Sequence, residues 1–278
     1  MIEIDKLRLY RGLDYPITDS IALKTPTLRQ IVDYGEREFY NMVYSLVIEP
    51  VNMKWQLWDS GIDWTTLKSY EFFCSFIAPT LTNDMTRIVL GEYLDFSKME
   101  YIHDEKIDEN VLVQNVTISK KIKNESFDNN DKKDFINEQD GKNASDDFSF
   151  KIVFDRAVYA KLCALVRCTY GFKQTKCKPA NEVTKMAIIE DERDEYLMNK
   201  DKPYESTLMN YISTLVNCEG FKHDEKTVFD MNIYAFMDSL KRISKIKNAT
   251  LLLQSGYSGF GISFKDIDKE ELDWTGNI

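Results

Sequence analysis

Residues 119–147 of this 278-residue chain read SKKIKNESFDNNDKKDFINEQDGKNASDD, with one glycine, no proline, and Asn, Asp, Lys or Glu at most positions. So polar a run buries too little apolar surface to offset its ordering entropy, and it is expected to form a disordered loop. Period-two alternation flanks it on both sides. VLVQNVTI occupies 111–118, and FSFKIVF at 148–154 places Phe148, Phe150, Ile152 and Phe154 on one face. The pattern predicts a β-hairpin over 103–154 with its tip at 119–147. A hairpin there makes 1–102 and 155–278 two parts of one packed body, where a tether would separate two domains.

A hydrophobic content of 43% and an aromatic content of 13% are enough for a full core. The formal net charge of -10 argues against nucleic acid and anionic membranes as partners, because both require a positive field. It favours a basic or amphipathic protein partner. No run approaches the ~20 apolar residues that span a bilayer. The opening MIEIDKLRLYRG lacks the basic and apolar regions of a signal peptide. Five cysteines (Cys74, Cys163, Cys168, Cys177, Cys218) with no CxxC read as reduced thiols, so a cytoplasmic location is expected.

Helical spacing dominates elsewhere. Residues 4–10 and 20–25 read as short strands around a turn containing Pro16. Thr27 is placed to cap a helix whose apolar positions are Leu28, Ile31, Val32, Gly35, Phe39, Met42, Val43 and Leu46. Further helices are expected at 65–77, after Asp155, at 181–198, around Leu208 to Val216, and from Ile233 to about Leu253. The predicted fold class is mainly α with a minor antiparallel β component (α+β), a helical body plus the hairpin.

No convergent chemistry emerges from the motifs. His103 and His223 are the only histidines and lack partners at metal-ligand or triad spacing. The SGYSGFG run (Gly256, Gly259, Gly261) follows a long helix and lacks the strand-to-helix setting of a phosphate loop, so it reads as a helix stop. Asp266, Asp268 and Glu270 open like a calcium loop, but Glu271 replaces the needed glycine and Asn277 the closing glutamate. The basic patch Lys241, Arg242, Lys245 and Lys247 is accounted for by a helix C-terminus. No catalytic residue, cofactor or metal is therefore assigned. Trp55, Trp58 and Trp64 in WQLWDSGIDW are read first as packing, next as a protein interface, and last as a ligand site. The candidate protein-interface residues are these three with Tyr257 and Phe260. Asp59 and Asp63, between the tryptophans, are the carboxylates that an enzymatic alternative would use.

Five blocks, LRLYRGLDYPI, PTLRQIVDYGEREFYNMV, QLWDSGIDW, FMDSLKRI and YSGFG with DKEELDW, resemble a family of virion-morphogenesis proteins of long-tailed phages and prophages of Gram-positive bacteria. The resemblance implies a non-enzymatic role in tail building, foremost as a tail assembly chaperone that binds the tape measure protein. The alternative it implies is a structural virion component, such as a connector or tail-completion protein. It carries over no catalytic residue.

Overall fold

Asp5 accepts the amide of Arg8 and caps a helix, α1 (Lys6–Tyr10), where alternation predicted a strand. A local cap satisfies a helix's first donors, and this outweighs a period-two pattern only seven residues long. The structure, a computed structural model, describes residues 2–105, 108–118, 148–258 and 267–276. The second predicted strand contains β2 (Ala22–Leu23), but its antiparallel partner is β1 (Tyr15–Pro16), inside the expected turn.

Thr27 caps α2 (Leu28–Tyr34) through a reciprocal capping box with Gln30. The single helix expected to reach Leu46 is divided at Gly35, which adopts a φ of 101°. That left-handed backbone is strained for any residue with a Cβ, so glycine is favoured there. Beyond it, α3 (Glu36–Ser45) restarts. The break changes the phase of the apolar stripe: Leu28, Ile31, Phe39, Met42 and Val43 are buried, whereas Val32 is 49% exposed.

Next come α4 (Lys54–Asp59), α5 (Ser69–Phe72), which continues as a π-turn over Phe73–Ile77, and α6 (Asn83–Leu90). The helix expected from residue 65 starts later because the Asp63 carboxylate accepts the amide and hydroxyl of Thr65 in a turn. Three strands, β3 (Glu100–Asp104), β4 (Glu109–Ile118) and β5 (Phe148–Phe154), form an antiparallel sheet in that order. Leu112 pairs with Phe154, Gln114 with Ile152 and Val116 with Phe150, which sets one face of the sheet against the body. The predicted disordered tip, 119–147, lies outside the described residues.

Asp155 caps α7 (Arg156–Tyr170), Asn181 caps α8 (Glu182–Asn199), and Ser206 caps α9 (Thr207–Val216). A 3-10 turn at Thr227–Asp230 leads into α10 (Ile233–Ser258), and α11 (Lys269–Leu272) follows. Helix α10 runs through Gly256, so that glycine does not stop it; Gly259 and Gly261 lie outside the described residues. The fold is α+β, mainly helical with two small antiparallel sheets.

One hydrophobic cluster contains residues from Ile17 to Phe236. At its centre Phe154 meets Phe96 and Phe73, with ring centroids 5.0 and 5.8 Å away, and its carbonyl accepts the Tyr70 hydroxyl at 2.6 Å. A second junction clasps the two ends of the chain. The Leu28 amide donates to Met231 O at 3.0 Å, and the Ile233 amide to Pro26 O at 2.9 Å, framing an antiparallel bridge between Thr27 and Asn232. The Asn232 side chain accepts the Ala235 amide, which caps α10, and donates to Tyr10 O on α1, both at 2.9 Å. Asn232→Ala removes both bonds. It is expected to lower the unfolding free energy by about 1–2 kcal/mol in urea titrations.

Candidate functional site

The tryptophan region is built from α4 and α8. On α8, Lys185, Ile189, Glu192, Arg193 and Tyr196 share one face, and that face is mostly charged. Its partners are charged as well: Lys54 meets Glu192 at 3.2 Å, Asp63 meets Lys185 at 2.6 Å, and Asp59 pairs with Arg193. Trp55 packs on Tyr196 with centroids 5.3 Å apart, and the Lys185 ammonium sits 5.2 Å from the Trp58 ring centre. Trp64 is buried and Trp55 and Trp58 are half-buried against the core. Trp55 and Trp58 thus hold α8 to the body, while Trp64 fills the core. Asp59 and Asp63 neutralise cations of that helix, which makes them poor candidates for proton transfer.

The other sequence candidates are dispersed. Tyr257 is 80% exposed near the end of α10, and Phe260 lies outside the described residues. His103 is on β3 beside Asn110 and Asp108, while His223 lies against Phe221 after α9. Burial pushes the Cys74 and Cys163 thiols up to about 11, which keeps them protonated and weakly nucleophilic. Among the described residues no group of three or more His, Cys, Asp or Glu is placed to hold a metal.

A groove of about 460 Å³ lies between α2 and α9, closed at one side by the 3-10 turn. Val32, Leu208, Met209, Ile212, Val216 and Phe229 supply its apolar lining, and among the described residues the charged ones that line it are Glu36 and Glu225. Leu208 is buried, but Met209 is 68% exposed and Val32 nearly half. Glu36 fixes one end of α9, accepting the Ser206 hydroxyl at 2.5 Å and the Leu208 amide at 2.9 Å. Val32 falls at the helical spacing of its buried neighbours, and Ile212 and Val216 also pack against the core, so spacing alone does not mark them as groove residues. The available signal was the width of the α9 stripe: Leu208 with Leu215, and beside them Met209, Ile212 and Val216, form an apolar sector broader than one packed face requires.

Comparison with known proteins bears on this same part of the chain. Residues 199–278 match a family model described as the YomV second domain, which belongs to a phage-related family. The match supports a phage-associated protein. No curated protein and no solved structure matches the chain. The matched span contains α9, the 3-10 turn and α10, so it supplies most of the groove, while Val32 and Glu36 come from outside it.

The α4–α8 contact makes a prediction about pH. Hydrogen bonds from Lys185 and then Thr65 hold the Asp63 carboxyl at about 2, below its ordinary 3.8. A folded-state value below the unfolded one stabilises the fold above pH 3.8 and ceases to do so as pH falls through about 2. Asp63→Asn should therefore lower the urea midpoint at neutral pH, because the buried Lys185 loses its carboxylate, and should flatten the acid limb between those two values. Urea midpoints of both proteins across that range provide the check.

Proposed function

We propose that this chain is a non-enzymatic protein of phage tail morphogenesis, a tail assembly chaperone that works in the host cytoplasm by holding an amphipathic helix of the tape measure protein. The groove between α2 and α9 carries this reading. Its six apolar side chains and two glutamates suit a helix that presents an apolar stripe with Lys or Arg beside it, the helix-in-groove mode of recognition. Exposed Met209 contributes a flexible, polarisable contact that adapts to different helix faces.

Two further observations agree with it. The net charge of -10 keeps a complex with an aggregation-prone helical partner in solution. The phage-related match over 199–278 and the resemblance of the five sequence blocks point to the same biological setting. The enzymatic alternative loses support because Asp59 and Asp63 are both engaged in ion pairs with α8.

Co-expression with the tape measure product tests the proposal. Wild-type protein is expected to raise the soluble fraction of that product severalfold. Met209→Glu, at an exposed position, should abolish the effect while leaving the chaperone folded. Equal insolubility of the tape measure with and without this chain would refute the reading, and stoichiometric presence in purified particles would favour a structural virion component.

A further inference from the structure

Helix α10 leaves the body part-way along its length. Ile233, Phe236, Met237, Leu240 and Ile243 pack in or against the hydrophobic cluster, whereas beyond Ile243 Ala249 is buried and most residues of the helix are exposed. The helix also packs against α11, and Arg242 donates to the carbonyls of Trp274 and Gly276 at 2.6 and 2.9 Å. The arm, residues 246–258, is about 20 Å long at 1.5 Å per residue. Ile246, Leu253 and Tyr257 follow one another at helical spacing, and all three are more than a third exposed. From Ser239 to Ser258 the helix has no acidic residue and four basic ones, Lys241, Arg242, Lys245 and Lys247. In a chain of net charge -10 this is a basic segment that also carries an exposed apolar row.

We propose that the α10 arm of one copy docks in the α2/α9 groove of a second copy, so that the protein associates head to tail. The inference rests on the reading of the groove as a helix-binding site and adds the protein's own arm as a competitor for it. The two surfaces match in chemistry: an apolar stripe flanked by lysines meets an apolar trough whose charged lining residues are Glu36 and Glu225. They are different patches of one molecule, so each copy has one of each, and the contact is heterologous. Such contacts grow into rings or open chains and do not stop at a symmetric pair. A partner helix that enters the groove displaces the arm, which couples client binding to disassembly.

Sedimentation analysis of wild type, Met209→Glu and Leu253→Glu tests this, with far-UV circular dichroism confirming the fold of each variant. Wild type should show a mass that rises with concentration. Each variant alone should be monomeric, its association weakened at least about tenfold. An equimolar mixture should form a dimer and grow no further, because only one intact groove and one intact arm remain between the two. A monomeric wild type at hundreds of micromolar, single variants that associate as wild type does, or a mixture that stays monomeric would each overturn the proposal. The chaperone reading is tested separately: Leu253→Glu should still solubilise the tape measure product, whatever the sedimentation result.

Discussion

The antiparallel bridge between Thr27 and Asn232 fixes the start of α2 and the start of α10 against each other. Two backbone hydrogen bonds and the Arg29–Asp230 pair surround it. The exposed ion pair adds little. Backbone bonds next to buried Leu28 and Ile233 lie where water cannot readily replace them, so they set the geometry. One side of this clasp leads into Val32 and the floor of the groove. The other side leads along α10 to the arm. The clasp therefore helps position Val32 and Phe229, two of the residues that line the groove.

The molecule handles its two helix-docking problems by different physics. Helix α8 is held by charge: Lys54, Asp59 and Asp63 face Glu192, Arg193 and Lys185, and the Trp58 ring lies against Lys185. Such a contact is specific because every misplaced register leaves a cation without its carboxylate in a poorly hydrated place. The groove is apolar with acidic lining residues and demands only size and sign from its occupant. That contrast separates a contact built for one partner from a surface able to accept varied helices.

Much of the fold was legible where a local rule and the tertiary environment agreed. Thr27 and Asp155 each cap the helix expected of them, a helix begins beside Asn181 as expected, and the β4–β5 pairing follows from alternation on both sides of 119–147. Failures came where short-range chemistry overrode periodicity. Asp5 made a helix of a seemingly alternating run, and Gly35 broke a stripe that continued on paper. Helices α4 and α6 and strand β3 are not expected from the sequence; α4 and α6 span only six and eight residues, and β3 is mostly exposed, so each offers too few apolar repeats to read. The candidate site was less legible. An apolar side chain that lines a groove has the same sequence signal as one in the core, and Val32 looked buried until the break at Gly35 was known. The tryptophans gave a stronger signal because they are rarer, but it marked the docking of α8.

Native-state hydrogen exchange tests most directly whether the clasp unites the chain. If it does, the amides of Leu28 and Ile233 exchange only through an opening as costly as that of core amides such as Phe73 and Leu162, and α9 loses protection in the same event. Exchange of residues 207–258 as an independent, less stable unit, with Leu28 still protected, would contradict the account.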